Sequence, residues 1–257
     1  MSFEDFIYFK DVGIKFNSNS CLFENLNFSI KKNSFNLLLG PTGSGKTSIL
    51  RIIKGIIPYL AEYSLDGSIL INGEVRTEKN FFKHSIDIGY LFQDFDLQFV
   101  GSTVEQELIF DLENMGQPLD VIQERLKWFL EKYSFLKTIL QKNPHNLSGG
   151  ELAQVVFIST VISDPSSLLL DEPLANLDSK SRGMLIELLT SFKNKKTIII
   201  ATHDIKPFIE LADKFLVISN VGPVITEYES KKALLRNIKQ FPWMDISPLA
   251  IKYYTGN

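Results

Sequence analysis

Apolar and polar positions alternate over residues 7–16 and 26–30, the period-two pattern of strands with one buried face. They predict an N-terminal antiparallel layer, with a turn at Asn17-Ser18-Asn19-Ser20. Mostly apolar runs at 35–39, 86–92, 167–171, 197–201 and 215–219 read as buried strands, and 67–73 as a short strand bounded by turn residues. Helical spacing marks 48–54 through Ile49, Leu50, Ile52 and Ile53. It returns from Thr103, where Val104, Leu108, Ile109 and Leu112 share a face, and again through Ile122, Leu126, Phe129, Leu130 and Tyr133. Further helices are predicted over 152–162, 179–192 and 206–213. Strands alternating with helices imply an α/β fold on a parallel sheet. The mostly helical block 94–162 interrupts strand-rich residues 1–93 and 163–228, as an inserted subdomain would. Residues 229–257 form a C-terminal appendix with one charged helix over 230–239.

Composition narrows the partners. With 27 basic and 30 acidic residues the net charge is −3, so a chain built to coat nucleic acid is not expected. The one basic cluster, Lys193-Asn194-Lys195-Lys196, reads as a solvated turn at a helix C-terminus. Twenty Phe residues predict an aromatic-rich core. Cys21 is the only cysteine, which excludes a disulfide within the chain. The acidic start, Met1-Ser2-Phe3-Glu4-Asp5, argues against a signal peptide. The longest apolar stretches, such as 155–162, fall short of the ~20 residues of a spanning helix. The expectation is a chain soluble by itself that reaches a membrane only through a partner.

Three stretches carry chemistry. Gly40-Pro41-Thr42-Gly43-Ser44-Gly45-Lys46-Thr47 fits G-x-x-x-x-G-K-[ST], the phosphate-cradling P-loop, between a predicted strand and a predicted helix that opens at Ser48. The glycines let backbone N–H groups approach phosphate. Lys46 adds a point charge, and the Thr47 hydroxyl can hold Mg²⁺. Leu168-Leu169-Leu170-Asp171-Glu172-Pro173 is an apolar strand ending in two acids. Asp171 there can hold Mg²⁺ through water, and Glu172 can orient or deprotonate an attacking water. Leu147-Ser148-Gly149-Gly150-Glu151 precedes an apolar helix. It is either a simple capped helix or a second anion cradle with the Ser148 hydroxyl. Phe16 lies one strand before the P-loop, where its ring would stack on a base or fill the core.

Together these residues resemble the ATP-binding cassette (ABC) ATPases over nearly the whole chain. LSGGE resembles the ABC signature, Gln93 the Q-loop glutamine, Ala175-Asn176-Leu177-Asp178 the D-loop, His203 the switch histidine and Phe16 the base-stacking aromatic. A narrower resemblance joins Gln93-Asp94-Phe95-Asp96-Leu97-Gln98-Phe99-Val100, with Glu113-Asn114-Met115-Gly116 and Pro144-His145-Asn146, to the energy-coupling factor (ECF) ATPases. Departures from the family pattern are Phe95 for a usual Pro, Lys32-Asn33-Ser34 for a Gly-Glu turn, Gln154 for a frequent Arg, and Leu174-Ala175-Asn176 in the D-loop. These departures suit one half of a heterodimer.

The resemblance implies a P-loop NTPase (RecA-like) core with an antiparallel β layer and an inserted α-helical subdomain. It implies ATP and Mg²⁺ as cofactors. Glu172, His203 and Gln93 would be catalytic, and Thr47, Gln93 and Asp171 would hold the metal. Phe16, Gly40 through Ser48, Ser148, Gly149, Gly150 and Asp178 would line ATP. A second ABC ATPase chain would complete a head-to-tail dimer. An integral membrane coupling (T) subunit and a substrate-binding (S) subunit would place it peripherally, on the cytoplasmic face of the cell membrane. Asp94, Asp96, Glu105 and Glu107 would meet cations of the T subunit or form a solvated face. The alternatives are a poorly hydrolysing partner subunit, the ATPase of another ABC transporter type, and a soluble ABC protein of repair or translation. The last usually has two cassettes or long coiled-coil insertions, which are not seen here.

Overall fold

Every residue of the strand Phe35–Leu39 is buried, and its neighbours alternate between two separate cores. The computed structural model describes residues 5–16, 20–60, 63–94, 98–175, 177–218, 225–247 and 251–252. The strands are β1 (Asp5–Phe16), β2 (Ser20–Lys31), β3 (Phe35–Leu39), β4 (Tyr63–Ile71), β5 (Glu74–Val75), β6 (Ile88–Leu91), β7 (Ser167–Asp171), β8 (Thr197–Thr202), β9 (Lys214–Ile218) and β10 (Ile225–Tyr228). The helices are α1 (Lys46–Lys54), α2 (Phe81–Ile86), α3 (Val104–Asn114), α4 (Leu119–Lys132), α5 (Leu136–Ile139), α6 (Gly149–Ile162), α7 (Ser179–Phe192) and α8 (Lys231–Arg236).

Two sheets result. One is antiparallel, in the order β2-β1-β4-β5; the other has six strands in the order β10-β9-β3-β8-β7-β6. Within the second, β3, β6, β7, β8 and β9 are parallel and β10 adds antiparallel to β9. Because side chains alternate faces along a strand, Leu38, Leu169, Ile199 and Leu216 look one way. They pack with α1 and the inner face of the antiparallel sheet, notably Ile7, Phe9, Ile14 and Phe28. Leu37, Leu39, Leu168, Leu170, Ile198 and Ile200 look the other way, onto α3, α6 and α7. Burial on both faces is why these strands read as near-continuous apolar runs. The aromatic-rich core is present, with Phe9 and Phe28 stacked at 4.3 Å between ring centroids.

The α/β class and the N-terminal antiparallel layer are as expected, and α7 has the predicted limits. Three local expectations change. Residues 206–213 form no helix. Pro207 has no N–H to give, the bonds Phe208 N–H to Ile205 O and Leu211 N–H to Phe208 O close three-residue turns, and the Asp213 carboxylate accepts from Phe35 N–H at 2.8 Å. Ile86 ends helix α2 instead of opening a strand, and β6 starts at Ile88. The charged C-terminal helix shortens to Lys231–Arg236 behind the Ser230 cap, then tightens into a 3-10 turn at Ile238–Gln240. The expected turn at 17–20 falls outside the described residues except for Ser20, already in β2; Ser219 falls outside them too.

Candidate functional site

The P-loop leaves the carboxyl end of β3, the strand between β9 and β8, and enters α1 at Lys46. That is the crevice where parallel sheets place ligands. Its backbone depends on two glycines. A Cβ on Gly40 would lie 2.4 Å from Ser44 Oγ. Gly45 has φ 94°, and a Cβ there would lie 2.4 Å from the Phe23 ring. Gly45 caps α1 with no side-chain bond, and no acid stands in the first turn. The first N–H groups of α1 therefore keep their positive potential for an anion. Ser44 Oγ is buried without a partner, while Thr42 and Gly43 are exposed and Pro41, Thr47 and Ser48 half-buried. Lys46 is only 7 % exposed. Its ammonium donates to Gly40 O at 2.8 Å and Pro41 O at 3.1 Å, and lies 3.7 Å from Glu172 Oε1. Burial holds its pKa below the ordinary lysine value, while Glu172 and Asp171 pull it back up.

Asp171 ends β7 with 1 % exposure. Neither carboxyl oxygen has a well-formed hydrogen bond. Burial raises its pKa; the neighbouring Thr47 hydroxyl draws it partly back. Glu172 follows with φ 46°, a strained left-handed setting for a side chain of its size. Its own N–H donates to Ala201 O at 2.8 Å across to β8. Its carboxylate accepts from Thr202 Oγ1 at 3.0 Å, His203 N–H at 3.1 Å and His203 Nδ1 at 3.0 Å. Because a carboxylate only accepts, that last contact puts the imidazole proton on Nδ1 and leaves Nε2 free on an exposed ring.

A second cluster stands at the start of α6. Ser148 caps the helix in a capping box: its hydroxyl accepts from Glu151 N–H at 3.3 Å and donates to Glu151 Oε2 at 2.8 Å, and its own N–H donates to the same oxygen at 2.9 Å. Asp178 caps α7, accepting from Lys180 N–H at 2.8 Å and Ser181 N–H at 3.0 Å. The two caps touch, since a Cβ on Gly150 would sit 2.7 Å from Asp178 Oδ2. Gln154 on α6 donates to Ser181 Oγ at 3.0 Å, and Ser181 Oγ in turn donates to Asp178 Oδ2.

The family described as ABC transporter matches residues 23–175, from within β2 to just past Glu172. The chain belongs to the ABC transporter family. Relatives agree. The energy-coupling factor transporter ATP-binding protein EcfA1 of Staphylococcus aureus is 35% identical over 224 residues, covering 86% of this chain and 80% of that protein. A Lactobacillus johnsonii protein named as an ABC transporter ATP-binding protein is 34% identical over 239 residues, or 91% of this chain, but only 41% of its own length is matched. Among solved structures, CbiO1 of Clostridium perfringens, described as part of the ABC transporter complex CbiONQ, aligns with a TM-score of 0.75 and 25% identity over 93% of this chain and 96% of its own.

Within this member of the ABC transporter family the P-loop, Asp171, Glu172 and His203 converge at the carboxyl ends of β3, β7 and β8. Ser148, Gly149, Gly150 and Asp178 do not join them; they form the α6–α7 cluster. The Ser148 hydroxyl, expected to face an anion, is committed to Glu151 in the lone chain, and Asp178 is committed as a cap. Gln93 lies exposed just past β6. The Phe16 side chain, Phe95, Asp96 and Asn176 lie outside what is described. Gln154, standing where the family often has Arg, ties the signature helix to α7. No trio of His, Cys, Asp and Glu able to hold a metal occurs among the described residues. Asp171 beside the Thr47 hydroxyl instead offers one buried carboxylate without a well-formed hydrogen bond and one hydroxyl, hard oxygens that would suit Mg²⁺, an ion that keeps waters and phosphate oxygens around it.

Sequence reasoning missed one contributor. Thr202 holds Glu172, visible only once β7 and β8 are paired. Glu105 and Glu107 are occupied within the chain. Glu105 accepts from Gln141 at 2.6 Å, and buried Glu107 accepts from the Val100 and Gly101 N–H groups at 2.9 Å each. A groove of about 570 Å³ runs between α2, β6 and α3, lined by Leu60, Phe82, Val100, Phe110 and Asp111. Asp111, which also lines it, has a pKa that burial raises and the nearby Lys54 pulls down. No described helix is long and apolar enough to cross a membrane.

Proposed function

We propose that this chain binds and hydrolyses ATP to power an ECF-type importer of a vitamin, metal ion or similar micronutrient. It would act peripherally at the cytoplasmic face of the membrane, paired head-to-tail with a second ABC ATPase chain and bound to integral T and S subunits. The observation that carries the ATP chemistry is the buried, unpaired Asp171 beside a P-loop lysine whose present partners are carbonyls and Glu172. The ECF reading rests on the Q-loop run and on the likeness to EcfA1 and CbiO1. The groove would receive the T subunit, its apolar wall facing apolar side chains and Asp111 facing a cation.

Phe16 would stack on the base. Residues 40–48 would hold the phosphates, with Lys46 leaving the Gly40 and Pro41 carbonyls for phosphate oxygens. Asp171, Thr47 and Gln93 would hold Mg²⁺, which when bound supplies charge against the β- and γ-phosphate oxygens. Glu172 would orient a water on the γ-phosphorus and take its proton as the water oxygen bonds to phosphorus and the bond to the β–γ bridging oxygen breaks. His203, held through Nδ1, would turn Nε2 towards the γ-phosphate. The second chain's signature residues, equivalent to Ser148, Gly149 and Gly150, would close the far side, with Asp178 keeping that helix start in place. The intact contacts of Glu172 with Thr202 and His203 favour an active subunit over a poorly hydrolysing partner.

The test uses the complex purified from membranes. Glu172→Gln is expected to keep ATP binding and co-purification with the integral subunits while phosphate release falls on the order of 100-fold or more. Undiminished release in an assembly with no other active ATPase would remove Glu172 from this role. Recovery only as a free monomer under ATP, from cells making the membrane partners, would remove the transport reading.

A further inference from the structure

The strand β6 is at the edge of the six-stranded sheet and pairs only with β7 among the described residues. Its outer backbone groups should then lie bare or be met by water. Two of them are met by one side chain. Gln98 Oε1 accepts from Phe92 N–H at 3.1 Å, and Gln98 Nε2 donates to Tyr90 O at 3.1 Å. In a parallel ladder one residue bonds the carbonyl before and the amide after the residue opposite it. The Gln98 carboxamide makes that same pair of bonds around Leu91, so a side chain stands in for a missing strand. Its second N–H donates to Thr160 Oγ1 at 3.4 Å on α6, and that hydroxyl donates onward to Val156 O at 2.8 Å. Donors and acceptors match at every step, and only a primary amide of this length fills them all.

The consequence concerns Gln93. It follows directly on Phe92, whose N–H Gln98 holds, and α6 is the helix that begins with the signature motif. We propose that Gln98 is a positioning residue for ATP hydrolysis: its amide ties the end of β6, and with it Gln93, to the signature helix of the same chain, so that the two approach nucleotide as one body. This rests on the reading of Gln93 as part of the hydrolytic site.

In the purified transporter complex, Gln98→Glu keeps the size of the side chain and removes both donors. It is expected to lower kcat about tenfold, with the Kd for a fluorescent ATP analogue within about twofold of the parent. Since Gln98 acts through Gln93, adding Gln98→Glu to Gln93→Ala should lower kcat no further. Thr160→Val removes the link to α6, along with the hydroxyl's own bond to Val156 O, and should give about a two- to threefold loss, also absent in the Gln93→Ala background. It carries the test alone if Gln98→Glu yields no folded complex. An unchanged kcat, losses that multiply with Gln93→Ala, or a Kd weakened in step with kcat would each overturn the proposal. A silent Gln93→Ala would instead strike the reading of Gln93 itself, and the proposal with it.

Discussion

The P-loop side and the signature side of this chain are built to opposite rules. On the P-loop side, charge is buried: Lys46, at 7 % exposure, is held by two carbonyls and Glu172, while Asp171, at 1 %, and Ser44 Oγ lack a well-formed hydrogen bond. On the signature side, Ser148 and Asp178 are exposed and already satisfied, Ser148 by Glu151 and Asp178 by Lys180 and Ser181. Buried unpaired polar groups are costly. The first side therefore carries a cost that a ligand of complementary charge relieves, whereas the second is at rest until something displaces a local bond. The difference fits a pocket whose strong binding lies in one chain and whose closing wall comes from another.

Removing the buried cation should break the comparison most. Lys46→Ala deletes the phosphate-facing charge and leaves Glu172 and Asp171 without the neighbouring ammonium. The loss of a charge-assisted hydrogen bond is about 3 kcal/mol, roughly a hundredfold in Kd for ATP. Equilibrium binding of a fluorescent ATP analogue reads it directly. A change below threefold would mean that the P-loop backbone alone carries the affinity.

Asp171→Asn should show the cost itself. The folded-state pKa of Asp171 is raised, chiefly by burial. Between the unfolded and folded pKa values the native state then holds more protons than the unfolded one, so stability falls as pH rises through that window. Above it the penalty is fully present. The amide carries no such penalty, so nucleotide-free Asp171→Asn should be more stable than the parent at pH 7, by about 1–2 kcal/mol. The gap should close near pH 4, around the ordinary aspartate value. Mg²⁺ with ATP should reverse the order, because only the carboxylate offers the metal an anionic ligand. Thermal melts across pH, with and without Mg²⁺-ATP, decide it; an apo variant less stable than the parent at pH 7 would show the carboxylate to be satisfied.

How much of this was legible in sequence follows from what each feature depends on. The P-loop, the acids at 171 and 172 and the strands of the parallel sheet were readable because each is a local run with its own periodicity or motif. The limits of α7 were readable because Asp178 is a strong N-cap at its start. Residues 206–213 misled because apolar spacing there serves turns around Phe208, pulled onto β3 by Asp213. Glu105 and Glu107 looked like a free acidic face, but their partners, Gln141 and the Val100–Gly101 amides, are chosen by tertiary packing. The role of Thr202 needed strand order, and that of Gln98 needed to know that β6 is an edge.

The smallest effect belongs to the signature side, and it separates local capping from ligand contact. Ser148→Ala removes the hydroxyl that both accepts from Glu151 N–H and donates to its carboxylate, while the Ser148 N–H bond to Glu151 survives. Loss of a helix N-cap is about 1 kcal/mol. Glu151 sits below its ordinary pKa first because of that N–H and second because of the hydroxyl. A depressed carboxylate contributes stability above its unfolded pKa and loses it as pH falls through the folded one. The Ser148→Ala deficit should therefore be present at neutral pH and shrink as pH falls below the ordinary glutamate value and through the lower folded one. The bond is solvent-exposed, so salt and water should keep it at the low end of the capping range. ATP affinity of the separate chain should stay within twofold, because no hydrogen bond or ion pair among the described residues joins this cap to the P-loop. A Kd that weakens as it does in Lys46→Ala would mean that one chain's own signature reaches its own nucleotide, and the two sides would no longer be halves of different pockets.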